Sequence, residues 1–159
     1  MRNSLINIHA TAIVLGRQGF LIVGPSGSGK SRLARTLLND GLRNNMFAAL
    51  ISDDQVWIEA HHGKIVAHRA ETIRDMLEIR FSGIARVESV CAAVMDAVLV
   101  PISARDTPDR LPQSNETMEV APGMTLPVVR LCHDLNPDMA MLQTLMPGRK
   151  TCAKAPSAH

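Results

Sequence analysis

The chain has 159 residues, enough for one domain with a proper core, and its 46 % hydrophobic content marks it as globular. With three Phe, one Trp and no Tyr, that core is aliphatic and methionine-rich, and platforms for stacking bases are missing. A net charge of +2 without any run of basic residues excludes a nucleic-acid footprint, and no apolar stretch approaches membrane-spanning length, so neither partner is expected.

In chain order, residues 5–9 and 12–15 are short apolar runs. Gly16-Arg17-Gln18-Gly19 then turns into residues 20–23, a buried strand, so a β-hairpin stands at the front of the chain. The run Gly24-Pro25-Ser26-Gly27-Ser28-Gly29-Lys30-Ser31 follows directly and fits the P-loop pattern G-x-x-x-x-G-K-[ST]. The spacing has a physical reason. The glycines let the backbone aim several N–H groups at one spot, and the following helix adds its positive end. Lys30 can reach phosphates, and the Ser31 hydroxyl can ligate Mg²⁺. Residues 31–38 read as that helix, with Leu33, Ala34, Leu37 and Leu38 on one face and Gly41 as its end.

Residues 47–51 form the next strand, expected beside the P-loop strand, and it runs straight into Ser52-Asp53-Asp54. Residues 56–58 and 64–67 flank His61-His62-Gly63 as a second hairpin. Residues 72–79 hold one helical turn or an irregular crossover. Residues 97–100 are a strand, and 103–115 a surface loop long enough for a function. Residues 117–120 and 126–131 are strands around a Pro122-Gly123 turn. Asn136-Pro137-Asp138 starts a helix, with Asn136 as its cap and Met139, Leu142, Leu145 and Met146 as its apolar face. The expected fold is therefore α/β: a single P-loop domain, residues 1–146, with a mixed sheet and a hairpin before the P-loop strand. Residues 147–159 form a tail.

Chemistry concentrates at few places. A carboxylate at the end of a strand near a P-loop sits where Mg²⁺ is held, and a second one beside it can take a proton from a hydroxyl nucleophile, so Asp53 and Asp54 divide two tasks. Glu78 reads either as an exposed ion pair with Arg80 or as an acid completing the metal shell. His9, at the end of the first apolar run, reads more readily as structural than as functional. His61 and His62 are solvated, and His68 and His133 carry no partner signal. Arg105, Arg110 and Arg130 lie where one of them could steady transferring charge. The three cysteines, an odd count without metal spacing, fit a reducing cytoplasm, with Cys91 and Cys132 as small buried residues.

His9, the hairpin, the P-loop, Ser52-Asp53-Asp54-Gln55-Val56 and the segment from Leu77-Glu78-Ile79-Arg80 to Val87 occur in an order that resembles the catalytic domain of bacterial HPr kinase/phosphorylase. Asp109-Arg110-Leu111 and Leu126-Pro127-Val128-Val129 extend the resemblance over roughly residues 5–135. The resemblance implies an ATP- and Mg²⁺-dependent serine kinase acting on HPr, the phosphocarrier of the sugar phosphotransferase system, or on a nitrogen-pathway paralogue. By motif it implies Asp53 as proton acceptor, Lys30 on the phosphates, His9 near them, and Asp54 and Glu78 with Ser31 on the metal side. There are departures: Ala10 follows His9 where the family has Gly, and Phe81-Ser82-Gly83 replaces Gly-x-Gly. The layout is similar to short alphaproteobacterial forms with the catalytic domain alone. On that likeness phosphorolysis and the family's hexamer are not expected, and a homo-oligomer is left open. Two other readings of a P-loop domain stand beside it: a small-molecule kinase with residues 103–115 as lid, and a nucleotide-sensing module without catalysis.

Overall fold

The structure, a computed structural model, describes residues 4–71, 75–79, 81–106, 108 and 110–147. Among these the chain forms β1 (Ile6–Ile8), β2 (Ala10–Leu15), β3 (Gln18–Val23), α1 (Lys30–Arg43), β4 (Ala48–Ser52), β5 (Val56–His61) and β6 (Lys64–Arg69). It continues with β7 (Met76–Ile79), β8 (Gly83–Arg86), β9 (Ala92–Met95), β10 (Ala97–Ile102), β11 (Thr117–Ala121), β12 (Met124–Cys132) and α2 (Met139–Leu145). No helix among the described residues is long and apolar enough to cross a membrane.

A six-stranded sheet in the order β11-β12-β10-β3-β2-β4 is the middle layer. It is mixed: β10 runs parallel to both β3 and β12, while β2 runs antiparallel to β3 and β4. Side-chain alternation along each strand builds two cores. Ile13, Leu15, Phe20, Ile22, Leu50 and Leu99 face α1 and α2. Ala12, Val14, Leu21, Ile51 and Val98 face the other way, onto Ile58, Ile65 and Met95 of a second, four-stranded antiparallel sheet ordered β1-β5-β6-β9. The hairpin expected at the front is β2–β3, closed by Gly16-Arg17. The second hairpin is β5–β6, turning at His62-Gly63.

The apolar run around residue 97 is two strands rather than one. β9 ends the small sheet, and a single residue, Asp96, carries the chain into β10 of the large one. The step is locked to Gly19: Asp96 N donates to the Gly19 carbonyl at 2.7 Å, and Gly19 N donates to Asp96 Oδ2 at 2.8 Å. Gly41 does not end α1, which runs on to Arg43. The glycine is buried against the first strand after the helix, where a Cβ would lie 3.1 Å from Ala48 Cβ, so it serves close packing. Residues 76–79 are neither helical turn nor crossover. Leu77 is fully buried under α1 and Glu78 is exposed, an alternation that suits β7 in its two-stranded ribbon with β8.

The second helix begins two residues later than its Asn-Pro-Asp signal suggests. Asn136 takes a left-handed conformation (φ 48°), and Asp138 is the cap, accepting from Met141 N at 2.7 Å. Asp138→Ala is expected to cost about 1 kcal/mol, read as a lower Tm in a thermal melt. The tail expected at 147–159 lies outside the described residues from position 148 on. Cys152 and Arg80 likewise lie outside the described residues.

Candidate active site

Because β3, β10 and β12 are parallel, and β4 points the same way across β2, their carboxyl ends gather on one edge of the sheet. Ligands of open α/β sheets lie outside such an edge. The glycine-rich loop leaves it from β3, Asp53 and Asp54 from β4, and His133 from β12, while His9 and Thr11 enter it at the start of β2. The strand carrying the aspartates is not beside the loop's strand, which corrects the neighbouring position expected from the sequence. β2 lies between them, and a side chain from β2 fills the gap.

That side chain is Thr11, fully buried, whose Oγ1 donates to Asp53 Oδ1 at 2.6 Å. From the other side Ser31 Oγ, on the first turn of α1, donates to Asp53 Oδ1 and Oδ2 at 3.0 and 3.1 Å. The backbone N–H of Glu78 donates to Oδ2 at 3.4 Å. Asp53 is only 7 % exposed. Its carboxylate is fixed by hydroxyls and faces the loop through Ser31.

Asp54 is different. It adopts φ 70°, which swings its side chain away from Asp53, and it is 70 % exposed. His9 Nε2 sits 2.6 Å from its Oδ1. Lys30 is 7 % exposed, and its Nζ donates to the carbonyls of Gly24 (2.9 Å) and Pro25 (3.1 Å), so the loop curls around the ammonium. Gly29, the N-cap of α1, has φ 94°, a conformation that favours glycine, and a Cβ there would meet the His133 ring at 3.3 Å.

These parts line one cavity of about 490 Å³, with Ser26, Gly27, Lys30 and Ser31 on one wall and Asp54, Glu78 and Ile79 on the other. Arg32, Arg35 and His133 complete it. The structure thus brings together most of the residues expected from sequence. Asp53 stands behind Ser31 rather than in the lining, and His9 meets the site through Asp54.

The donors present are hydroxyl and carboxylate oxygens, the class that suits Mg²⁺. Among the described residues no three His, Cys, Asp or Glu side chains converge as a metal cage. Mg²⁺ does not require one, since it keeps several waters and takes phosphate oxygens alongside one or two protein ligands.

Other expectations fall elsewhere. Arg130 does not line the cavity. It makes a two-pronged pair with Glu116, at 2.9 and 2.6 Å, which holds the Glu116 carboxyl below its ordinary range and raises the guanidinium's pKa. Arg110 lines a second cavity with that pair, and Arg105 lies exposed in a 3-10 turn, Ala104–Asp106. Asp109 lies outside the described residues. His68 has a partner, Glu59, at 3.0 Å across β5–β6. Cys91 is exposed rather than buried, and Cys132 is partly buried. Sequence reasoning missed Thr11, Arg32, Arg35 and His133. Only Arg32 and Arg35 left a signal, one turn apart on the polar face of α1.

The family of HPr Serine kinase C-terminal domains matches residues 3–132. The HPr kinase/phosphorylase of Streptococcus thermophilus is 33 % identical over 135 residues, covering 79 % of this chain and 41 % of the relative. The HPr kinase/phosphorylase of an Azoarcus species is 30 % identical over 138 residues, covering 77 % and 42 %. The chain therefore spans about two-fifths of the length of these curated relatives. The solved HPr(Ser) kinase/phosphatase from Coxiella burnetii shares the fold, with a TM-score of 0.69 at 21 % identity over 88 % of this chain and 93 % of that one.

Proposed function

The chain belongs to the HPr serine kinase C-terminal domain family, and from that premise we propose that it transfers the γ-phosphoryl group of ATP to a serine hydroxyl of HPr or a nitrogen-pathway HPr-like carrier. The observation that carries the reading is the contact of Ser31 with Asp53 at the mouth of the glycine-rich loop, with Asp54, paired with His9, lining the same cavity.

The parts divide the work as phosphoryl transfer requires, which is positioning and charge stabilisation. The loop amides and Lys30 hold the phosphate chain. Ser31, backed by Asp53, and Glu78 are the residues that would hold Mg²⁺, which supplies neutralisation of charge on the phosphate oxygens. We assign the two aspartates the reverse of the roles the motif resemblance implies. Asp53 is buried and already engaged by two hydroxyls, which supports a metal-side anchor. Asp54 is exposed to the cavity and paired with His9, which supports a proton acceptor. The carrier's serine oxygen attacks in line with the leaving group and gives its proton to Asp54.

Incubation with Mg-ATP and HPr, followed by mass spectrometry, tests the reading. Phosphoserine on HPr is the expected result. Phosphorylated small molecules with HPr untouched, or no phosphate transfer at all, would overturn it.

A further inference from the structure

Two buried side-chain polar atoms among the described residues have no hydrogen-bond partner: Ser28 Oγ and His133 Nδ1. Such atoms are rare in folded proteins and call for an explanation. Both belong to the same place. Ser28 is in the glycine-rich loop, and His133 packs against Gly29 of that loop and lines the cavity.

The histidine is held with care. It follows directly on β12, and its side chain is 17 % exposed. Nδ1 lies 3.3 Å from Asp134 Oδ1, off the line of a hydrogen bond. Asp134 in turn is pinned through its other oxygen, which accepts from Ser103 Oγ at 2.7 Å and Ala104 N at 2.8 Å. Those bonds, the hydroxyl's first, hold its carboxyl below the ordinary range. A carboxylate just past β12, fixed to the end of β10, thus stands on the Nδ1 side of an imidazole whose Cδ2 and Nε2 side lies toward Gly29 at the cavity.

Sheet order says what that imidazole meets. The loop leaves β3; Asp54 lies on the β2–β4 side of it and His133 on the β10–β12 side. The phosphoryl group being transferred belongs beside Asp54 and Glu78. The nucleoside end of the same molecule therefore extends toward β12. We propose that His133 is a binding residue for the nucleoside moiety, receiving the ribose and base of a nucleoside di- or triphosphate on its cavity face. The inference rests on the kinase reading in taking the phosphate chain to lie in the glycine-rich loop with its terminal phosphate on the side of Asp54 and Glu78.

The test is calorimetric titration of the full chain with Mg-ADP and with Mg-pyrophosphate, which has phosphates but no nucleoside. His133→Ala is expected to weaken Mg-ADP about tenfold, the loss of roughly one good polar contact. Pyrophosphate affinity should stay within about twofold, which also shows that the variant is folded. His133→Gln, measured beside it, should show the same ADP-selective loss at smaller size. Equal weakening of both ligands, or unchanged ADP affinity in both variants, would overturn the proposal. Failure of the wild-type chain to bind either ligand would remove the phosphate cradle and this inference together. ADP-selective loss in a protein that leaves HPr unmodified would retain the inference and sink the kinase reading.

Discussion

Asp54→Asn is expected to slow phosphoryl transfer to the carrier by about 10²–10⁴-fold, the usual worth of a positioned proton acceptor. The substitution is mild in every other respect. The side chain is 70 % exposed, and asparagine tolerates the left-handed backbone at φ 70°. Mg-ATP affinity should therefore change little. Asp53→Asn should behave in another way, because it disturbs Thr11 and Ser31 together and so weakens nucleotide binding along with transfer. Rates of HPr phosphorylation and calorimetric ATP affinities for both variants decide the matter. Transfer intact in Asp54→Asn, but lost in Asp53→Asn with full ATP affinity, would return the proton-accepting role to Asp53.

Gly19→Ala is expected to be the most damaging single methyl group in the domain. A Cβ at that position would lie 2.0 Å from the Val94 carbonyl oxygen and 3.0 Å from its carbon, both backbone atoms. Neither can step aside without moving β9 against β3 at the point where Asp96 joins the sheets. The cost should reach about 3 kcal/mol, the upper range for overpacking, or on the order of 10 °C in Tm for a chain this size. Gly16→Ala is the matched comparison. Its strained φ of 62° remains, but its one close neighbour is the flexible end of Met46, so the cost should be nearer 1 kcal/mol. Equal Tm values for the two variants would refute the account.

What could be read in advance was local. The glycine-rich loop, the helix after it, both hairpins and the Asp pair are each signalled within a few neighbouring residues. The loop's chemistry follows from its spacing alone. The geometry within the Asp pair did not follow, because it depends on a backbone turn: Asp53 is buried just past β4, and Asp54 reverses into a left-handed conformation. Thr11 and His133 were silent for another reason. Their positions depend on strand order, which brings residues 11 and 133 to one edge of a sheet, and nothing near either residue records that. Leu77 and Glu78 misled because four residues are too short for a period of two to stand out against a helical turn. Asn136 misled because Asp138, two residues on, offers the same capping chemistry.

The placement of β2 between the loop's strand and the acid's strand has one more consequence. Asp53 is gripped by Thr11 of β2 on one side and by Ser31 of α1 on the other, so the binding mouth is complete only when β2 is paired in the large sheet. A nucleotide that selects the assembled mouth therefore stabilises the whole domain rather than a loop. At a hundred times its Kd, it adds about 2.7 kcal/mol to global unfolding.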